Sequence, residues 1–207
     1  MKLLLATRSP HKAREIRRIL GPVEAIDPVD LDEAGIAYDP VEEEIEVFES
    51  FGENAAAKAR HFRRLSGLPT VADDSGLVVD ALGGEPGVHS KRFAPDRGLE
   101  GEARDRANNR HLLERLEGVP SKDRTAHYVC VAVLDRGHGQ PLSFRGEAHG
   151  RILAKPRGGG GFGYDPLFYD EELERTFAQI SREEKNARSH RGKAFRALGD
   201  HLREEGA

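Results

Sequence analysis

Apolar residues along this chain fall into two kinds of pattern. Short continuous or alternating apolar runs are typical of strands, and they cover residues 3–6, 70–73, 77–81, 125–134 and 142–149. Longer stretches with apolar residues three and four positions apart predict helices, and they cover residues 10–20, 51–65, 102–116 and 191–203. Strands and helices are therefore mixed along the chain, which predicts an α/β or α+β fold and leaves the sheet order undetermined.

Residues with capping preferences support the first two predicted helices. Ser9 is a favourable N-cap residue, and Pro10 follows it at a position where proline is tolerated in the first helical turn. Ser50 and Glu53 have the spacing of a capping box, and the alanine-rich stretch that they begin stops at Gly67. The sequence thus predicts where both helices begin.

The composition is that of a globular protein. The chain has 207 residues, of which 37% are hydrophobic and 33% are charged, and its formal net charge is −4. This length suits a single domain over residues 1–207 with a sizeable core, and the apolar content argues against a disordered chain. A mildly acidic chain lacks the basic face needed to wrap duplex nucleic acid, so we expect no nucleic-acid partner. A local group of lysines and arginines could still bind a small anion.

The chain has a single cysteine, Cys130. This excludes an internal disulfide and a thiolate metal cage. Its position within an apolar run indicates a core residue rather than a nucleophile. That run is too short to span a bilayer, and the apolar stretch near the N-terminus stops at Thr7. We therefore expect a cytoplasmic protein with no membrane partner.

The first candidate for chemistry lies between the first strand and the first helix. It comprises Thr7, Arg8, Ser9, Pro10, His11 and Lys12. Free backbone N–H groups at a helix start favour an anion, while the two hydroxyl groups add donors and the lysine adds charge. The alternative interpretation is an ordinary capped helix with a solvated lysine.

A pair of adjacent acids ends an apolar run further along the chain. Asp73 and Asp74 are followed by Ser75 and Gly76. Because side chains alternate along a strand, we expect the two carboxylates to face different ways. One of them could point at a cleft and hold Mg²⁺ through oxygen. The alternative is a common Asp-Ser-Gly turn.

A third candidate combines Glu46 with two residues of the second predicted helix. Asn54 and Lys58 are four positions apart, so they share one helical face. An acid near this lysine could be a metal ligand beside a phosphate clamp. Glu46 also belongs to an acidic run, so a solvated charged surface is the alternative.

Two later segments are rich in glycine or in hydrogen-bond donors. Residues 158–163 contain the pattern GxGxxG, but prolines flank the segment and no helix is predicted to begin there. A loop that closes over a flat ligand therefore fits better than a dinucleotide-binding fold, and Phe162 could stack on a base. A purely structural glycine loop is the alternative. Residues 185–193 are dense in donors, with a solvated basic loop as the alternative.

Together, and in this order, these segments resemble the inosine triphosphate pyrophosphatase family, which removes deaminated purine nucleotides such as ITP, dITP and XTP. The resemblance extends from Leu4 to about Leu198. Its most specific parts are residues 73–77, 79–82, 86–88, 162–166 and 189–192. The resemblance implies a long, twisted, mixed β-sheet flanked by helices, two lobes with a central cleft, and a homodimer.

The resemblance also implies roles for individual residues. It makes Asp74 the general base, and Asp74 and Glu46 the ligands of Mg²⁺. Since the two residues after Glu46 differ from the usual Thr-Gly, Glu49 is kept as an alternative ligand. Arg8 and Ser9 also depart from the family, which usually has Thr-Gly-Asn or Thr-Asn-Asn there. Substrate contacts are implied for Thr7, Arg8, Ser9, Pro10, His11, Lys12, Asn54, Lys58, Ser75, Phe162, Gly163, Tyr164, Asp165, Lys185, His190 and Arg191.

From these roles we expect a hydrolase that cleanses the nucleotide pool. It would convert non-standard purine nucleoside triphosphates to the monophosphate and pyrophosphate with the help of Mg²⁺. Asp74 would deprotonate the attacking water, and Lys12 and Lys58 would stabilise the leaving pyrophosphate. Arg191 and backbone N–H groups would donate to the C6 carbonyl of the base. Two alternatives remain: a related house-cleaning pyrophosphatase for modified pyrimidine nucleotides, and a non-catalytic nucleotide or single-strand RNA binding module.

Overall fold

The fold is described by a computed structural model that covers residues 1–21, 23–24, 26–95 and 98–206. The helices, numbered along the chain, are α1 (Pro10–Leu20), α2 (Phe51–Ser66), α3 (Gly101–Arg115), α4 (Arg182–Arg188) and α5 (His190–Gly206). The strands are β1 (Lys2–Leu5), β2 (Asp27–Asp30), β3 (Thr70–Val79), β4 (Thr125–Asp135), β5 (Leu142–Ile152), β6 (Phe168–Asp170) and β7 (Arg175–Thr176). Short 3-10 turns lie at Pro40–Glu44, Asp80–Leu82, Gly87–Arg92 and Ser121–Asp123.

The strands form one mixed sheet of seven in the order β2-β1-β3-β4-β5-β6-β7. β1 is parallel to both β2 and β3, whereas β6 is antiparallel to both β5 and β7. The predicted mixed α/β fold, with a long sheet and flanking helices, is confirmed. The sequence does not predict β2, because Asp-Pro-Val-Asp has no apolar run, and only its pairing with β1 defines it.

The chain forms two compact units. The first unit consists of the described residues of 1–74, 130–146 and 189–207, and the second consists of those of 75–129 and 147–188. Among the described residues, no helix has both the length and the apolar character that crossing a membrane requires.

The first unit has a core built from alternate strand residues and two helices. Residues two apart on β1 and on β4 enter this core, as expected for strands with one buried face. α1 and α5 contribute residues spaced three and four apart, which form the apolar stripe of each helix. The core members are Leu3, Leu5, Ile16, Leu20, Val71, Cys130, Ala132, Leu134, Ala194, Phe195, Leu198 and Leu202. Cys130 is buried, so the prediction of a core cysteine is confirmed, and burial raises the pKa of its thiol.

The second unit has a separate, more aromatic core. α3 contributes Leu112 and Leu116, and the rings of Tyr128, Phe168 and Phe177 pack together with centroids 4.7–6.0 Å apart. The other members are Leu77, Val79, Ala126, Ala148, Ile152, Tyr164 and Leu167. The second unit therefore has an apolar core of its own.

The prediction of two separate strands, over residues 70–73 and 77–81, is wrong. β3 is a single strand that runs without a break through the Asp-Asp-Ser-Gly stretch. Local propensity favours a turn there, but Asp73 and Asp74 both have hydrogen-bond partners in the first unit. These tertiary partners remove the need for the local side-chain bonds that a turn would supply. The alternative interpretation as an Asp-Ser-Gly turn is thereby excluded.

The basic stretch at residues 185–193 is not a loop. Its first half lies in α4 and its second half begins α5, with Ser189 between the two helices. The other predicted helices begin and end within one residue of the observed ones, except that α5 begins one residue earlier and continues further than predicted. By contrast, residues 158–163 form no helix, as predicted.

Candidate active site

A group of charged side chains in the first unit surrounds the buried carboxylate of Asp73. We call Lys12, Lys58, Asp73, Asp74 and Arg191 the charged cluster. Asp73 is 1% exposed. Its Oδ2 atom lies 3.0 Å from Nζ of Lys12 and 3.5 Å from a guanidinium nitrogen of Arg191. Its Oδ1 atom is buried and has no hydrogen-bond partner among the described residues.

The start of α1 directs Lys12 toward this cluster. Ser9 is the N-cap, and its hydroxyl oxygen accepts the backbone N–H of Lys12 at 3.4 Å. The hydroxyl oxygen of Thr7 accepts the N–H of Ser9 at 3.1 Å. Pro10 occupies the first turn, as predicted. The hydroxyls of Thr7 and Ser9 therefore shape the turn that places the lysine.

The charges around Asp73 decide its protonation state. Burial alone would raise the pKa of this carboxyl, but Lys12 and Arg191 hold it well below its ordinary range. Burial would lower the pKa of Arg191, but the charges of Asp73 and Glu15 raise it. Asp73 is therefore a permanent anion that holds two cations.

Asp74 has a different environment from its neighbour. Its Oδ2 atom accepts a hydrogen bond from Nδ2 of Asn54 at 3.1 Å, and Asn54 is also bonded to both backbone polar groups of Phe48. Burial raises the pKa of Asp74, while Lys58 and Lys12 oppose that rise. The expected alternation is present, since the two adjacent acids contact different partners. A raised pKa makes Asp74 a stronger base than an exposed aspartate.

Glu46 forms an ion pair with Lys58 of α2. Burial would raise the pKa of Glu46, but Lys58 lowers it below the ordinary value. Conversely, burial would lower the pKa of Lys58, but the charges of Glu46 and Asp73 raise it. Glu49, the alternative ligand, is exposed. The geometry thus favours Glu46 over Glu49 as the partner of the charged cluster.

The donor set near Asp74 suits a hard divalent cation. Among the described residues, no three His, Cys, Asp or Glu side chains gather into a group that could hold a metal by themselves. Mg²⁺ in nucleotide enzymes is typically held by one or two carboxylates, and substrate phosphates and water complete its shell. Asp74 and Glu46 interact electrostatically and offer carboxylate oxygens. Two such acids fit an ion that the substrate helps to bind.

The second unit carries a second group of predicted residues. Most of them lie on residues 158–165, which we call the glycine loop. The Oδ2 atom of Asp165 accepts the backbone N–H of Phe162 at 2.8 Å and also pairs with Nζ of Lys185. Lys185 is buried, and its ammonium lies 4.6 Å from the centre of the Phe162 ring. Phe162 is half-buried. The structure thus brings three of the residues predicted to contact substrate together.

Tyr164 and Gly163 attach the glycine loop to the rest of the second unit. The hydroxyl of Tyr164 donates to the carbonyl of Ser90 at 2.8 Å. Asp105 and Asn109 of α3 bind the backbone of Gly163. Neither residue is among those predicted from the sequence. They share a helix face, but no sequence signal connects that face with a loop more than fifty positions away.

Comparison with known proteins decides the family. The sequence profile of the Ham1 family matches residues 3–201. The chain belongs to the Ham1 family. A relative named dITP/XTP pyrophosphatase from Geobacter sulfurreducens is 46% identical over 203 residues, which cover 97% of this chain and 96% of that protein. A protein of the same name from Thermus thermophilus is 46% identical over 198 residues, with 96% of this chain and 90% of that protein covered.

Solved structures of similar proteins share this fold. The structure of a HAM1 protein from Coxiella burnetii has a TM-score of 0.85 and 37% identity, and the match covers 99% of each chain. A nucleoside-triphosphatase / dITP/XTP pyrophosphatase from Mycobacterium abscessus has a TM-score of 0.74 and 40% identity, with 98% of this chain and all of that chain covered. The predicted family resemblance is confirmed.

Two predicted substrate contacts of this Ham1-family chain are occupied with other partners. The Arg8 guanidinium donates to both carboxylate oxygens of Glu42, at 2.6 and 3.0 Å, and to the carbonyls of Ile36 and Ala37, both at 2.9 Å. These bonds tie Arg8 to the segment that contains the turn at Pro40–Glu44. His11 is exposed, and its ring nitrogen Nδ1 lies 3.0 Å from a guanidinium nitrogen of Arg14.

Arg191 and His190 are both buried at the start of α5 in the first unit. Arg191 donates to Glu15 at 2.7 Å in addition to its contact with Asp73. β5 approaches this helix end closely, because a Cβ atom at Gly146 would lie 2.2 Å from the carbonyl oxygen of His190. Arg191 thus belongs to the charged cluster of the first unit. Ser75, which follows Asp74 on β3, is half-buried and belongs to the second unit.

Proposed function

We propose that this chain hydrolyses non-standard purine nucleoside triphosphates, such as dITP, XTP and ITP, to the monophosphate and pyrophosphate. The relatives from Geobacter and Thermus carry the name dITP/XTP pyrophosphatase, which supports this substrate class. The observation that carries the chemical part is Asp74, a buried carboxylate with a raised pKa and two lysines nearby. The chain is thus a hydrolase that cleanses the nucleotide pool.

In the proposed reaction, Asp74 accepts the proton of the water that attacks the α-phosphorus. Asn54 donates to Oδ2 of this carboxylate at 3.1 Å and so fixes its orientation. Burial favours the protonated product of this transfer, because it raises the pKa of Asp74. The proton remains on Asp74 until it is released to water.

Asp74 and Glu46 would hold a divalent cation, for which we propose Mg²⁺. When bound, such an ion neutralises charge on the triphosphate and lowers the pKa of a coordinated water. Because Lys58 keeps the pKa of Glu46 low, this ligand is already ionised at neutral pH. Binding of the cation therefore requires no loss of a proton from Glu46.

Lys12 and Lys58 are the proposed contacts of the triphosphate. Each is paired with a carboxylate, Lys12 with Asp73 and Lys58 with Glu46. These pairs keep both ammonium groups positioned before a nucleotide arrives, which lowers the cost of ordering them. Asp73 does not touch substrate in this scheme and serves to hold Lys12 and Arg191.

Phe162, Gly163, Tyr164 and Asp165 are the proposed contacts of the base, together with Lys185. Phe162 offers an aromatic face on which a purine can stack. Asp165 and Lys185 neutralise each other, so the loop presents backbone groups rather than a net charge. Arg191, which is also bonded to Glu15 and Asp73, and backbone N–H groups are the proposed donors to the C6 carbonyl.

The proposal also includes features that concern the protein as a whole. We propose a single functional domain over residues 1–207, a homodimer and a cytoplasmic location, without nucleic-acid or membrane partners. Light scattering of the purified protein after size exclusion tests the dimer directly: a mass near twice 22.9 kDa supports it, and a mass near 22.9 kDa refutes it.

Product analysis tests the activity. The protein is incubated with dITP, XTP, ATP and a modified pyrimidine triphosphate, each with Mg²⁺ and with EDTA. We expect pyrophosphate from dITP and XTP with Mg²⁺, and little product from ATP or in EDTA. Release of inorganic phosphate instead would refute α-phosphorus attack. Preference for the pyrimidine would favour the related house-cleaning enzyme, and tight binding without product would favour a non-catalytic module.

A further inference from the structure

The glycine loop requires support from outside itself. Five of the six residues 158–163 are glycines, so side chains contribute little to its conformation. Ordering such a segment costs more backbone entropy than ordering most others. Gly163 has a φ of 63°, a left-handed conformation that glycine adopts without a steric penalty. Hydrogen bonds must therefore hold the backbone at this position.

Two side chains on one face of α3 bind both polar groups of Gly163. The Oδ2 atom of Asp105 accepts its N–H at 2.7 Å, and Nδ2 of Asn109 donates to its carbonyl at 2.8 Å. Because the two side chains are four positions apart, they lie on successive turns of the same face. Asn109 also donates to the Asp105 carbonyl at 2.9 Å, which fixes its amide orientation. A carboxylate acceptor makes the first bond stronger than a neutral one.

α3 is anchored firmly enough to serve as a frame. Asn108, which is 3% exposed, accepts the N–H of Ala94 at 2.9 Å and donates to the carbonyls of Ser90 and Lys91. The same Ser90 carbonyl accepts the hydroxyl of Tyr164. The helix and the loop thus share one acceptor in the interior of the second unit, so that movement of one disturbs the other.

We propose that Asp105 and Asn109 are positioning residues for base recognition. By holding Gly163, they keep Phe162 and the adjacent backbone groups in place before a nucleotide binds. This inference rests on the proposed role of the glycine loop. Neither residue touches the base, and neither takes part in the chemistry at Asp74. Their loss therefore weakens nucleotide binding and leaves the chemical step unchanged.

Steady-state kinetics with dITP test this role. Asp105→Ala is expected to raise KM about ten-fold and to leave kcat within about two-fold, because it removes a charge-assisted bond. Asp105→Asn keeps an oxygen acceptor and is expected to raise KM only about three-fold, and Asn109→Ala should fall between the two. Arg106→Ala is the matched control, since Arg106 lies between them in sequence with a 71% exposed side chain. An unchanged KM in Asp105→Ala, or an equal fall of kcat, would overturn the proposal.

Hydrogen exchange of the Gly163 amide tests the same contact without turnover. We expect slow exchange in the wild type, at least about ten-fold faster exchange in Asp105→Ala, and an intermediate rate in Asp105→Asn. Equal rates in all three proteins refute the positioning role even if dITP is hydrolysed. If the wild type hydrolyses no nucleotide, the proposed function fails while the exchange data still report on Asp105. If Asp105→Ala does not fold, Asp105→Asn carries both tests.

Discussion

Each unit has a buried aspartate paired with a lysine, but the two pairs do different work. In the first unit, Asp73 gathers Lys12 and Arg191, which come from distant parts of the chain. In the second unit, Asp165 binds Lys185 and also accepts the backbone N–H of Phe162 within the glycine loop. The first pair holds charged side chains, whereas the second holds backbone.

The two pairs correspond to two requirements of the proposed reaction, phosphoryl chemistry and base recognition. Phosphoryl chemistry depends on charges held in position near the triphosphate. Base recognition depends on the placement of an aromatic face and of backbone donors. Substitutions in the charged cluster should therefore act mainly on kcat, and substitutions at the glycine loop mainly on KM.

The largest effect is expected at Asp74. Asp74→Asn keeps the shape of the side chain but removes the proposed base and a metal ligand, so kcat for dITP should fall by at least about 10³-fold. Circular dichroism and thermal unfolding serve as controls for the fold. Near-normal turnover in this variant would remove Asp74 from its role and with it the contrast between the units.

Asp73→Asn should be the most destabilising of the conservative changes. It leaves Lys12 and the buried Arg191 without their shared anion, which should lower the free energy of unfolding by about 3–5 kcal/mol at pH 7. Urea unfolding of both proteins measures the difference. Equal free energies of unfolding would mean that the charged cluster does not require a negative charge on Asp73.

The pH dependence of this difference follows from the lowered pKa of Asp73. The folded protein keeps the carboxylate charged in mild acid, whereas the unfolded chain binds a proton near pH 3.9. The stabilisation should therefore be constant from pH 8 to about pH 5 and shrink as the pH falls below about 4. A loss that begins near pH 6 would contradict the permanent anion.

Phe162→Ala tests the other side of the contrast. Loss of a stacking surface for a base typically costs about 1–3 kcal/mol, so KM for dITP should rise about ten-fold or more while kcat changes little. Phe162→Tyr keeps the ring and is the matched control. A fall in kcat with an unchanged KM would assign Phe162 to the chemical step instead.

The smallest kinetic effect is expected for Arg8→Ala. Its guanidinium makes four hydrogen bonds, to Glu42 and to two carbonyls, so the change should lower stability by about 1–3 kcal/mol and alter kcat/KM by less than about three-fold. Thermal unfolding and dITP kinetics measure both. A ten-fold rise in KM would support the predicted role of Arg8 as a substrate contact.

The sequence by itself determined the local elements and the family. Helix caps such as Ser9 and Ser50 act within four residues, so α1 and α2 begin where predicted. Ordered motifs spread along the chain were enough to indicate the Ham1 family relationship before any fold was known. The adjacent acids and the glycine-rich stretch were recognised as candidates for the same reason, because each motif is local.

Which distant residues come into contact depends on the tertiary structure. The continuity of β3 depends on partners for Asp73 and Asp74 from α1 and α2, and local turn preference points the other way. Arg191 joins Asp73 over a separation of 118 residues, and Asp105 joins Gly163 over 58. Periodicity reports which face of a helix or strand is buried, but it carries no information about which distant group that face contacts.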